Sequence, residues 1–172
     1  MKKIFSLAVL FLFTVAGFSQ NVQLHYDFGH SFYKDLTNRM SVTTTVEMFK
    51  TDKWGNNYFF VDIDYQKDGV MGAYWEISRE MNLTANKQWA AHVEYDGGLT
   101  SDKKTLISTR FQHAALFGGA WNWASSDFSK TFSVQLLYKY NFKGKNPWNR
   151  PFSSVQLTEV WGTTFAKGLC TF

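Results

Sequence analysis

Cys170 is the one cysteine in a chain of 172 residues, and an intrachain disulfide is therefore excluded. Proline is almost missing as well: with two residues, the chain carries few interruptions to a hydrogen-bonded ladder. After residue 19 no apolar run approaches the roughly 20 residues that a spanning helix needs. Motifs of common chemistry are also lacking. There is no zinc-type His/Cys cluster, no P-loop and no dinucleotide-binding glycine fingerprint, and no cofactor is expected.

What is present begins at the first nineteen residues. Lys2 and Lys3 precede an apolar stretch over residues 4–15, and Gly17 and Ser19 supply small residues at −3 and −1. This is the layout of a cleaved secretory signal, with Gln20 as the first mature residue. Residues 1–19 are thus read as a signal peptide and residues 20–172 as one domain. Removing Lys2 and Lys3 from 18 basic side chains leaves 16 against 14 acidic ones, a balance that speaks against a nucleic-acid partner. Phe, Trp and Tyr make up 19% of the chain, an excess that suits a surface crossing a membrane interface.

From Val22 onward the hydrophobic period is two. Val22, Leu24, Tyr26 and Phe28 alternate with Gln23, His25 and Asp27, and Phe59, Val61, Ile63 and Tyr65 with Phe60, Asp62 and Asp64. Trp89, Ala91, Val93 and Tyr95 oppose Ala90, His92, Glu94 and Asp96, and Phe132 to Tyr140 repeats the pattern against Gln135 and Lys139. Each run places one face in apolar surroundings and the other against polar atoms. Turn-type clusters separate the runs at residues 52–57, 67–69, 96–98, 125–127 and 143–151.

Two environments could own the apolar face: the core of a soluble sandwich, or lipid. Runs at residues 71–83 and 131–142 exceed the five or six residues usual in soluble strands and reach the roughly 9–11 of a membrane strand. Aromatics gather near run ends, as interfacial girdles require, and carboxylates recur on the polar parity. The expected fold is all-β, an antiparallel up-and-down membrane β-barrel of about 8–12 strands. About nine runs are counted, including residues 105–123 and 153–165 and a short one at 169–172, whereas single-chain bacterial barrels close with even numbers. Either the count is off by one or the barrel is incomplete.

The segments Thr44 to Lys50, Asp52 to Tyr65 (with Trp54-Gly55-Asn56-Asn57-Tyr58-Phe59-Phe60-Val61-Asp62 at its centre), Gly72 to Glu80 and His92 to Leu99 carry a resemblance. Through them the chain resembles an uncharacterised family of bacterial outer-membrane β-barrels. More distantly it is similar to the Tsx-like nucleoside-specific channel-forming porins. The likeness runs to about Trp161, and the chain looks shorter at its C-terminus than such proteins. Phe172 resembles the terminal aromatic of an outer-membrane assembly signal. The resemblance implies a monomer in the bacterial outer membrane, inserted by the outer-membrane assembly machinery. It also implies passive diffusion of small hydrophilic solutes, with nucleosides the most specific suggestion.

The polar parity nominates Glu47, Asp62, Asp64, Glu76, Glu80, His92 and Glu94 as lining, with Phe60 and Tyr74 available for stacking. Arg79, Arg110 or Lys139 could offset the acid, and the same charges could instead pair and plug a narrow barrel. Asp64, Gln66, Asp68 and Gly69 touch a calcium-loop pattern, but Trp75 stands where the bidentate Glu belongs. His25, Asp27 and Ser31 could serve a lipid-modifying acyltransferase or esterase, although no Gly-x-Ser-x-Gly elbow occurs. The main expectation is a channel and not an enzyme. A lipid-modifying barrel enzyme and a non-conducting structural or ligand-binding barrel are the alternatives.

Overall fold

A computed structural model describes residues 20–36, 39–66, 69–102, 107–110, 112–144, 150–165 and 170–171. Eight strands of 7 to 14 residues form the body: β1 (Gln20–Tyr26), β2 (Val42–Asp52), β3 (Gly55–Gln66), β4 (Gly69–Asn82), β5 (Trp89–Asp102), β7 (Ala114–Ala124), β8 (Lys130–Asn141) and β9 (Phe152–Phe165). Two short strands, β6 (Ile107–Arg110) and β10 (Cys170–Thr171), pair with β5 and β9. Every pairing is antiparallel and joins neighbours in the up-and-down order, with β7 following β5 along the sheet. A single helical turn, α1 (Phe28–Phe32), and a 3-10 turn at Lys34–Leu36 lie between β1 and β2. The expected signal peptide, Asp68 of the calcium-type pattern and Phe172 lie outside the described residues.

The structure corrects three sequence expectations. The run expected over residues 105–123 holds two strands among the described residues, β6 and β7, because β5 pairs with β6 through Leu99–Asp102 and with β7 through Trp89–Asp96. Asn56 and Asn57 lie inside β3, leaving Lys53 and Trp54 as the connection. Asp96-Gly97-Gly98 continues β5 instead of turning. There Gly97 faces Trp75 and Gly98 faces Tyr74 across the β4–β5 ladder. A Cβ on Gly97 would lie 2.6 Å from the Trp75 indole nitrogen. Gly97 clears space for the indole, which in turn covers the bare backbone.

Alternation sorts the sheet into two unlike faces. On one stand Val22, Leu24, Ile77, Leu136, Val155 and Leu157, all exposed; Leu24 reaches 75% and Leu157 62%. On the other the side chains are buried, and polar groups are prominent among them: Glu80 is 5% exposed and His92 3%, alongside Asp96, Asn141, Ala114, Leu116 and Leu137. The polar face must be concave. Glu80 on β4 and Gln135 on β8 are three strand spacings apart, roughly 14 Å in a flat sheet. Side chains standing perpendicular to a flat sheet could not bridge that gap, yet Gln135 Nε2 donates to Glu80 Oε1 at 2.9 Å.

Connections differ at the two ends. Strands β2–β3, β4–β5 and β7–β8 are joined by residues 53–54, 83–88 and 125–129; at the other end β1–β2 and β8–β9 require residues 27–41 and 142–151, while only two residues separate β3 from β4. The β2–β3 tip is fastened by Asp52. Its Oδ1 accepts from the backbone N–H groups of Trp54 (2.7 Å) and Gly55 (3.0 Å), and both its oxygens accept from Arg79, at 2.7 and 3.0 Å. Arg79 belongs to the outward row, so it does not offset the acidic face as the sequence had allowed; it reaches the turn and forms a bidentate pair there.

The Arg79 guanidinium, followed by the Trp54 N–H, lowers the Asp52 carboxyl from 3.8 to about 2. A depressed carboxylate contributes stability above its unfolded value, and that contribution is lost as pH falls through the folded one. Asp52→Asn should therefore melt below the wild type near neutral pH. The gap should close between pH 4 and pH 2, as read by the temperature at which the folded band disappears on a gel.

Candidate functional site

The concave face gathers its polar side chains by strand register. Thr43 and Thr45 of β2 oppose Asp64 and Asp62 of β3, then Gly72 and Tyr74 of β4; Glu47 opposes Phe60, and Phe60 opposes Glu76. Further along, Glu76, Ser78 and Glu80 face Asp96, Glu94 and His92 of β5. Every residue nominated from the polar parity thus lies on this one face. They divide into an outer sector on β1–β3 and a charged centre on β4–β8.

In the outer sector each carboxylate has a local donor. Thr43 Oγ1 donates to Asp64 at 2.6 Å and Thr45 to Asp62, while Asn21 and Gln23 donate to Glu47 at 3.0 and 2.9 Å. Tyr58, Phe60 and Tyr74 form a line of rings with centroids 6.0 and 5.9 Å apart. Such a line offers π-faces beside hydrogen-bonding groups.

Glu80 organises the centre. Its Oε1 accepts from Gln135 (2.9 Å) and lies 3.3 Å from His92 Nδ1, and its Oε2 accepts from Asn56 (3.0 Å) and Asn122 (3.1 Å). Donors from β3, β5, β7 and β8 thus meet on one carboxylate of β4. The other ring nitrogen of His92 lies 3.1 Å from Glu94 Oε2. With a carboxylate at each nitrogen, only the doubly protonated ring can donate to both. Beyond Glu94 lie Asp96, bound by Lys139 Nζ at 2.7 Å, and Glu76, which accepts from the Tyr74 hydroxyl at 2.7 Å. Lys139 also donates to Gln156 of β9 at 3.3 Å.

Sequence reading singled out Glu80, His92 and Glu94 but passed over Asn56, Asn122 and Gln135. Gln135 stood on the polar parity of its run, and that signal was available. Asn56 was hidden in an apparent turn, and Asn122 in a run whose boundary was misplaced. A cavity of about 600 Å³ opens between the short connections and is lined by Asn56, Asn82, Gln88, Asn122, Trp123 and Phe132, among others. Its amides lead inward to Glu80.

The proposed nucleophile set does not assemble. Asp27 caps α1 through Gly29 N at 2.9 Å and pairs with Arg39 at 3.1 Å, while the Ser31 hydroxyl contacts Tyr26. His25 sits on β1 opposite Thr43. Among the described residues no hydrogen bond links the three as a relay requires, although His25 and Asp27 line one pocket. Asp64 of the calcium-type pattern is engaged by Thr43 on the sheet.

Removing a buried carboxylate that faces a cation strands both the cation and its other donors. Glu80→Ala should lower stability by roughly 3 kcal/mol. Asn122→Ala, which removes one charge-assisted hydrogen bond, should cost about 2 kcal/mol. Urea unfolding, followed by tryptophan fluorescence, measures both.

No curated protein and no solved structure matches the chain. A family model described as "Domain of unknown function (DUF5020)" matches residues 19–172, and the chain, with its one-sided polar sheet, belongs to that family.

Proposed function

We propose that the protein is an outer-membrane β-barrel through which small hydrophilic solutes diffuse passively. The observation that carries this reading is the inversion of the sheet: exposed aliphatic residues on the convex face, and buried Glu80, His92 and Asp96 on the concave one. In water that arrangement would expose a broad apolar surface and bury charge, both costly; in a bilayer the outer face meets lipid and the interior retains its polar partners.

Further support comes from the aromatics. Trp89 pairs with Trp121, and Trp123 with Phe132 and Phe132 with Trp161, towards the short connections. Towards the long ones, Tyr26 and Tyr65 flank Val42, and Tyr95 and Tyr140 flank Ala115. Two aromatic belts around an aliphatic band are what a bilayer's two interfaces favour. The two longest connections, residues 27–41 and 142–151, fall at one end, as the longer loops of such barrels do, although the two-residue β3–β4 connection shares that end. The amide-lined cavity and the Tyr58–Phe60–Tyr74 line suit solutes with hydroxyls and a flat ring, and nucleosides are the class proposed.

A second reading, a non-conducting barrel, has its own observation. Glu80 ties four other strands together across the interior, and small barrels can be filled by side chains. Planar-bilayer recording of the refolded chain decides between them. Discrete open levels that added nucleoside reduces support passage. A protein that shows the heat-modifiable folded band yet gives no conductance overturns it in favour of the filled barrel.

A further inference from the structure

The charged centre is unevenly balanced. Four carboxylates stand together here: His92 bridges Glu80 and Glu94, Lys139 binds Asp96, and Glu76 lies beside Glu94 and Asp96. Glu80 has its own set of neutral donors and the His92 ring. The deficit of positive charge therefore falls at the other end, on Glu76, Glu94 and Asp96. One carboxylate oxygen from each of these three lies within 4.8 Å of the others.

Asp96 adds an independent sign. Its side chain is 5% exposed, Lys139 occupies Oδ2, and the buried Oδ1 has no hydrogen-bond partner among the described residues. A buried carboxylate oxygen left without a donor carries a desolvation cost. It also stands in a group whose carboxylates outnumber the cations beside them. A hard cation answers both conditions, since it engages the free oxygen and supplies the missing charge. A Ca2+ ion sits about 2.3–2.6 Å from carboxylate oxygens, so ligand atoms on one ion lie no more than about 5 Å apart. Water supplies the remaining positions of such a site.

We propose that Glu76, Glu94 and Asp96 form a binding site for a hard divalent cation of the calcium class, with Asp96 bridging the ion and Lys139. The site needs the concave face alone and not the passage of a solute, so a barrel that fails to conduct would leave it standing. Its position also gives Lys139 a definite role: the ammonium is a competing cation that holds part of the charge in place and limits affinity.

Tb3+ luminescence tests the proposal on the full chain refolded in phosphatidylcholine vesicles. The Tyr74 hydroxyl bonded to Glu76 places a sensitiser beside the ion. The expected result is saturable Tb3+ emission on tyrosine excitation, displaced by Ca2+. Asp96→Asn and Glu94→Gln should weaken binding by about tenfold or more, and Lys139→Gln should tighten it by about tenfold, as removal of a nearby like charge requires. The heat-modifiable band confirms that each variant folds. For the wild type alone, Ca2+ should raise the melting temperature above that in EDTA. Absence of saturable emission, unchanged binding in folded Asp96→Asn, or a melting temperature indifferent to Ca2+ would each overturn the site and indicate a proton shared between Glu94 and Asp96 instead.

Discussion

The rest of the structure depends on the hydrogen bonding of the Glu80 carboxylate. An ionised carboxyl can remain out of water only if its lone pairs are taken, and here Asn56, His92, Asn122 and Gln135 take them. Because these donors belong to β3, β5, β7 and β8, satisfying the charge forces the sheet to curl. Curvature and polar satisfaction are one requirement. Alanines 90, 114 and 120, all nearly inaccessible on the same face, keep the concave side narrow enough for the donors to converge.

Curling also accounts for the opposite face. Once the polar row is turned inward, the aliphatic row is spread over the outside, where a soluble protein would present charge. One charged group of that row is handled locally. Arg79, two registers from the β2–β3 tip, finds Asp52 there. Trp75 lies over Gly97 on the same surface and covers backbone that would otherwise be bare.

Much of this was legible before the fold was known, because a strand's side chains alternate strictly and a run such as Trp89 to Asp96 declares its two faces without reference to any neighbour. The same locality explains the errors. Gly97 and Gly98 resemble a turn in isolation; only their pairing with Trp75 and Tyr74 on the adjoining strand, and the indole packed on Gly97, show them to be extended. Asn56 likewise reads as loop until Glu80 is placed across from it. The break between β6 and β7 depends on β5 changing partner along its length, which no pattern within residues 105–123 reveals.

The sequence by itself determined the class: a meander of strands with one polar and one apolar row, since periodicity is a property of consecutive residues. It determined as well which carboxylates share a face. Only the tertiary structure decided which of them touch. The Glu80–Gln135 bond spans 55 positions of chain, and the grouping of Glu76, Glu94 and Asp96 joins two strands. Such meetings are set by register and by curvature. Both arise from the sheet as a whole, because a one-residue slip or a flatter sheet would separate these side chains while leaving every local pattern unchanged.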